Sequence, residues 1–172
     1  MKKIILVLHN IRATGNVGSI LRTADGSGVR EVVFSGYTPR VDDERVLPHL
    51  REKLNAQIEK TALGAERYVK RNSCDDIISG LEKYKKEGYR IVGLENNIDD
   101  ERLIPLCSEN FSEISRRAGE KVVLILGEEV GGIEKSLYDI IDLFLEIPMK
   151  GKKESFNVSV ATGICLFGLS NI

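Results

Sequence analysis

Cysteine and histidine are scarce in this chain, tryptophan is missing, and no apolar run is long. Cys74, Cys107 and Cys165 are odd in number and far apart, no Cys-x-x-Cys occurs, and His9 and His49 have no partner at ligand spacing. Neither a disulfide framework nor a metal site is expected, and a reducing cytoplasm is the expected setting. No stretch approaches the roughly 18 apolar residues of a membrane span. The opening Met1-Lys-Lys-Ile-Ile-Leu-Val-Leu8 has no small-residue cleavage site, so it reads as a first strand and no membrane partner is expected. Phosphate loops are lacking too. Gly26-Ser-Gly28 wants a third glycine and follows a helical pattern, and Gly127-Glu-Glu-Val-Gly-Gly132 has no Lys-Ser/Thr behind it. Dinucleotide and P-loop sites are therefore not expected, and two histidines give no legible hydrolase triad.

Charge of one sign is also in short supply: 25 Lys and Arg against 26 Asp and Glu leave a net charge of -1. That argues against a generic polyanion binder. The distribution is uneven, however, with six cationic against two acidic residues in positions 1–40. Local positive charge on a neutral protein fits a phosphate-bearing partner, although an ordinary solvated surface gives the same pattern.

What is present is a core. The 172 residues, 42% of them hydrophobic, suit one domain over 1–172. Strand-like runs at Ile4–Leu8, Val32–Phe34, Arg90–Leu94, Val122–Leu126 and Leu143–Ile147 are rich in β-branched residues, as in strands covered on both faces. Between them, Val17, Ile20, Leu21 and Ala24 follow a helical period, as do Ile77, Ile78, Leu81 and Tyr84 after a possible Ser73-x-x-Asp76 capping box. Strand and helix alternate over the whole length, which predicts an α/β fold with a mostly parallel sheet and helices on both faces. Residues 36–66 read as a long excursion over the strand ends with a short helix around Leu50–Ile58. The final helix, from Val158 to about Leu169, is apolar nearly all round and is expected to be buried on two faces, the second against another copy of the chain.

Three blocks carry the functional signal. Asn16-Val-Gly-Ser-Ile-Leu-Arg22 puts an amide and a guanidinium on one helix, and Gly127-Glu-Glu-Val-Gly-Gly-Ile133 follows an apolar strand. Ile147-Pro-Met-Lys-Gly-Lys-Lys-Glu-Ser-Phe-Asn-Val-Ser-Val-Ala161 follows the next. Two adjacent strand ends with glycine-bearing loops are where ligands sit in open α/β sheets. The reading is a small-molecule site built from loop backbone, with a cationic residue aimed into it.

These blocks resemble the three signature motifs of the SpoU (TrmH-type) branch of the SPOUT RNA ribose methyltransferases. The resemblance spans essentially the whole chain and is most specific in the third block. It implies S-adenosylmethionine as cofactor, transfer to a ribose 2′-hydroxyl of tRNA or rRNA, a homodimer, and a deep C-terminal trefoil knot within about residues 122–172. Asn16 and Arg22 match the first motif, Glu129 the acidic position of the second, and Ser155 and Asn157 the polar pair of the third. Leu94, Gly127, Gly132, Ile147, Met149, Ser155 and Phe156 would hold the cofactor, and Arg12, Arg22, Lys150, Lys152 and Lys153 would face RNA. This sequence departs from the pattern at Phe156, where leucine is usual, and in residues 41–58, which look like an insertion before Lys60-Thr-Ala-Leu-Gly-Ala-Glu66. No appended RNA-binding domain is visible, which puts recognition on the catalytic body and tilts the expectation toward tRNA.

The cofactor brings an activated methyl group, so the protein must position it and manage the hydroxyl proton. Arg22 is the family's proposed base, yet a guanidinium loses its proton only above about pH 12. Stabilising a phosphate or a developing alkoxide is the other role open to it. Glu129 reads as an orienter. Asn16 and Asn157 also suit plain helix capping. A non-catalytic RNA-binding protein with the same fold, or a nucleotide-binding α/β enzyme, are the competing readings.

Overall fold

A computed structural model describes residues 2–171. Seven parallel strands form one sheet in the order β3-β2-β1-β6-β4-β7-β5. They are β1 (Lys3–His9), β2 (Glu31–Ser35), β3 (Arg71–Cys74), β4 (Arg90–Leu94), β5 (Leu103–Pro105), β6 (Lys121–Leu126) and β7 (Leu143–Glu146). The helices are α1 (Thr14–Gly26), α2 (Pro48–Ala62), α3 (Ile77–Lys86), α4 (Phe111–Ala118) and α5 (Val158–Ser170). The central strands β1 and β6 are continuous apolar runs because both of their faces are covered. Ile4, Leu6 and Leu8 join the layer containing α1, α4 and α5. Ile5 and Val7 join the opposite layer, with Leu81 of α3 and Leu137 of a 3-10 turn.

β3 and β5, the two sheet edges, escaped the sequence reading. Arg71-Asn-Ser-Cys74 is polar and half-exposed, and β5 is three residues long, so neither displays a buried run. The supposed capping box before α3 is also different: Asp76 itself caps the helix, accepting from the Ser79 N–H at 3.2 Å. The short helix expected at Leu50–Ile58 runs from Pro48 to Ala62. Its proline supplies a preset first turn, and Ile58 and Ala62 are buried against α1. A Cβ at Gly18 would collide with Thr61 and the Ile58 carbonyl, so the two helices pack backbone to backbone there. The segment that looked like an insertion therefore completes one layer of the fold. None of the described helices is long and apolar enough to cross a membrane.

The two faces of α5 differ sharply. One face is sealed, with Thr162, Cys165, Leu166 and Leu169 fully buried. The other, bearing Val160, Ile164 and Phe167, is exposed, and Phe167 keeps 74% of its surface.

Candidate functional site

Three strands end side by side, β6, β4 and β7. The chain leaving each one becomes a wall of a cavity of about 280 Å³. Leu94, Glu95, Asn96 and Asn97 come from β4. Gly127, Glu128, Glu129, Val130 and Gly132 follow β6. Ile147 and Glu154 to Val158 follow β7.

The loop after β6 closes on itself. The Glu128 N–H donates to the Gly132 carbonyl at 3.0 Å, and the Gly132 N–H returns to the Glu128 carbonyl at 2.9 Å. Such a closure needs the two glycines. Gly132 has φ of 68°, and a side chain on Gly127 would occupy the Gly132 carbonyl. Glu95 fastens the far side, accepting from the Ile133 N–H at 2.6 Å and the Asn96 N–H at 3.1 Å. Burial pushes the Glu95 carboxyl upward, and these two donors pull against it without reversing the shift.

Asn96 clamps the third loop. Its Nδ2 donates to the Ile147 carbonyl at 2.8 Å, while its Oδ1 accepts from the Ile147 N–H at 3.2 Å. Asn97, with φ of 58°, donates to the Glu154 carbonyl at 3.1 Å. Neither asparagine stood out in the sequence. The only signal was an Asn-Asn pair immediately behind a strand, which marks a turn and nothing more.

Asn16, Glu129 and Asn157, one from each sequence block, form a single chain of contacts. Asn157 Nδ2 donates to Asn16 Oδ1 at 3.1 Å, and Asn16 Nδ2 donates to Glu129 Oε1 at 3.0 Å. Glu129 also accepts from the backbone N–H groups of Arg12 and Ala13, at the start of α1. Partial burial acts to raise the Glu129 carboxyl, but the Asn16 amide and these N–H donors outweigh it and hold the group below its usual range. Asn16 caps nothing, since Ala13 occupies the cap position of α1. Asn157 does cap α5, accepting from the Ser159 N–H at 2.9 Å, and makes the Asn16 bond as well.

Of the residues singled out from the sequence, Leu94, Gly127, Glu129, Gly132, Ile147, Ser155, Phe156 and Asn157 line the cavity, and Asn16 is bonded to two of its walls. Met149, Arg12, Arg22, Lys150, Lys152 and Lys153 do not line it. The expectation of a cationic residue aimed into the site is therefore corrected. Four carboxylates line the cavity (Glu95, Glu128, Glu129 and Glu154) and no lysine or arginine does. Arg22 stands six residues beyond Asn16, and at about 100° per residue that turns it well away from Asn16. It is exposed on α1. Arg12 is exposed and ion-paired to Glu128 at 3.1 Å. The three lysines lie exposed on the loop between β7 and α5.

A second polar cluster beside the site resembles a hydrolase pair only in composition. His9 Nδ1 lies 3.1 Å from Ser35 Oγ, and its Nε2 is 3.6 Å from Glu134. Ser35 is fully buried, so no substrate reaches its hydroxyl. Burial lowers the His9 pKa despite Glu134, leaving a neutral ring that ties the ends of β1 and β2.

Fold and site together define a class: a parallel α/β protein with a loop-built cavity at the strand ends, where open α/β sheets place their ligands. Known proteins narrow it. Residues 3–167 match the model of the SpoU rRNA Methylase family, and the chain belongs to that family. It is 29% identical over 164 residues to the Pseudomonas aeruginosa protein named 23S rRNA (guanosine-2'-O-)-methyltransferase RlmB, a match that covers 95% of this chain and 57% of that one. It is 32% identical over 164 residues to the protein of the same name from Nitrosomonas europaea, covering 95% and 54%. The chain thus spans little more than half the length of these relatives. Among solved structures, a TrmH/SpoU tRNA modifying enzyme from A. aeolicus superposes with a TM-score of 0.73 at 26% identity, over 99% of this chain and 75% of that one. An AdoMet-bound rRNA methyltransferase from Sinorhizobium meliloti superposes at 0.75 with 20% identity, over 98% and 56%, a likeness of fold.

Proposed function

We propose that this chain transfers a methyl group from S-adenosylmethionine to a ribose 2′-hydroxyl of structured RNA, either tRNA or rRNA. The observation that carries the reading is the Asn157–Asn16–Glu129 chain, which joins three distant sequence blocks beside one loop-built cavity. A binding module has no evident need for that convergence.

The cavity suits the cofactor. S-adenosylmethionine carries a sulfonium and an ammonium against a single carboxylate, and a cavity lined by acidic and no basic side chains complements its net positive charge. Leu94, Leu126, Ile147, Phe156, Val158 and Ala161 provide apolar surface for its adenine. Leu94, Gly127, Gly132, Ile147, Ser155 and Phe156 would hold it, and bound there it supplies an already activated methyl group. Glu129 fixes the start of α1 against the loop after β6, and so sets where the helix bearing Arg22 sits. Exposed Arg22 is then available to a phosphate of the bound RNA, a role that needs no deprotonation. Lys150, Lys152 and Lys153 give the loop after β7 a cationic outer side for the RNA backbone.

The reading includes one domain over residues 1–172, a knot in the segment from β6 through α5, and a homodimer. An uncovered apolar strip of Phe156, Val160, Ile164 and Phe167 supports the dimer. Phe156 belongs both to that strip and to the cavity wall, so a partner seated there sits at the cavity mouth. The direct test incubates the protein with methyl-labelled cofactor and RNA from cells lacking the gene, then hydrolyses the RNA in alkali. Label in alkali-resistant dinucleotides supports the reading. Label in mononucleotides, or none, contradicts it.

A further inference from the structure

A second cavity, of about 320 Å³, opens at the β3 edge of the sheet, between that strand and the loop that leads into α2. Its floor is apolar, made by Phe34, Val41 and Val69, while its polar groups are Arg40, Asp42, Arg71, Asn72 and Ser73. Arg71 and Ser73 stand in register with Val32 and Phe34 of β2 and therefore share their face.

Arg40 is the anomaly. It is only 8% exposed, yet its Nε is a buried donor without a partner. Its one ion pair, Nη2 to Asp75 Oδ1 at 3.1 Å, is made to a carboxylate whose side chain is 85% exposed. Taking a guanidinium out of water is costly unless its donors are met. The Arg71 side chain, half-buried on the same cavity, has no hydrogen-bond or ion-pair partner among the described residues. The acids nearby have partners of their own, Asp43 a guanidinium and Asp42 a neutral amide. Asp42 accepts from Asn55 Nδ2 at 2.8 Å, and Asp43 takes a two-pronged contact from Arg45 at 2.8 and 2.6 Å. The unspent capacity of the cavity is thus the whole Arg71 fork, the Arg40 donors not held by Asp75, and the Ser73 hydroxyl, which matches a group with several acceptor oxygens.

We propose that Arg40 and Arg71 form a phosphate-binding subsite at the sheet edge, taking a phosphodiester of the substrate RNA outside the reaction centre. The RNA source rests on the proposed function; the anion chemistry does not. The approach to β3 supports RNA over a free phosphate. Arg67-Tyr-Val-Lys-Arg71 places Tyr68, 79% exposed, among three cations, of which Arg67 and Lys70 pair with Glu66 and Glu31, and an exposed aromatic between basic residues is what stacking on unpaired bases uses. Substrate RNA would then span from the Arg22 surface of α1 to the edge of the sheet.

The test uses Arg71→Ala, chosen because the Arg71 side chain makes no hydrogen bond or ion pair among the described residues, with Arg40→Lys as a second variant that keeps charge and removes the fork. Three binding reactions are followed: RNA against salt concentration, S-adenosylhomocysteine, and inorganic pyrophosphate by thermal shift. Arg71→Ala should weaken RNA binding about tenfold and reduce the salt slope by about one, with S-adenosylhomocysteine affinity at the wild-type value. Arg40→Lys should act in the same direction. Unchanged RNA affinity together with unchanged pyrophosphate stabilisation overturns the subsite. Loss of pyrophosphate stabilisation alone keeps the anion site and overturns its assignment to RNA. If the wild-type chain binds no RNA while pyrophosphate stabilises it through Arg71, the methyltransferase reading fails and the anion site stands.

Discussion

Replacing Asn96 by alanine removes both halves of a clamp between the ends of β4 and β7. Wild-type Asn96 gives one hydrogen bond to the Ile147 carbonyl and takes one from the Ile147 N–H, at 2.8 and 3.2 Å. Ile147 is 6% exposed, so water does not readily replace the lost partner. Each bond contributes about 0.5–1.5 kcal/mol, and stranding a buried donor or acceptor costs about 1–3 kcal/mol. Partial relaxation of the loop keeps the total near 2–3 kcal/mol. With a urea dependence of about 2 kcal/mol per molar, the unfolding midpoint should fall by about 1 M. The same loop bears Ile147, Ser155 and Phe156 of the cavity, so S-adenosylhomocysteine affinity should fall about tenfold or more. Asn97→Gly is the control. It tolerates the left-handed backbone and removes only an exposed bond, to the Glu154 carbonyl, so it should stay within about 0.5–1 kcal/mol of wild type. Urea titrations of the three proteins decide the matter. An Asn96→Ala protein as stable as Asn97→Gly, with wild-type ligand affinity, would show that the clamp does not shape the site.

Gly132→Ala should be worse than Asn96→Ala for ligand binding, because a methyl group there meets the Glu95 carboxylate at a positive φ; calorimetry with S-adenosylhomocysteine checks this. Arg22→Ala should abolish methyl transfer with that affinity intact, and parallel loss of both would make Arg22 structural. Glu129, held below its usual pKa, contributes stability that is full above about pH 4.5 and is lost as pH falls through its folded value. The stability gap between wild type and Glu129→Gln should accordingly be flat at neutral pH and shrink only in acid, as urea titrations across pH would show. Phe167→Glu should convert a dimer into a 19.2 kDa monomer in light scattering if the exposed face of α5 is the subunit contact.

The layers of the fold were legible because β1, β4, β6 and β7 bury both faces and so spell continuous apolar runs. The sheet edges were not, since half-exposed Arg71–Cys74 carries no such pattern. α5 was read as apolar all round, which is true of its sequence, but one domain covers only one side of it. Glycine spacing located the loop after β6 because its closure admits no side chain at Gly127. Asn16, Glu129 and Asn157 were visible as separate motif positions; their mutual bonds join residues more than a hundred positions apart, which no local pattern encodes. Asn96 and Glu95 were missed for a related reason. Each acts on backbone of another loop, and a residue that holds main chain leaves no periodicity. Arg22 lies on the expected helix, but helical geometry turns it away from Asn16 and it does not line the cavity.

The central claim is that the ribose oxygen is the nucleophile. Once the modified nucleotide is mapped, a synthetic RNA carrying one 2′-deoxynucleotide at that position can be compared with its all-ribose counterpart, using methyl-labelled cofactor. The account predicts full labelling of the ribose form and none of the deoxy form, with binding of the two RNAs alike. Labelling of the deoxy RNA at a comparable rate would place the methyl group on the base and contradict the account.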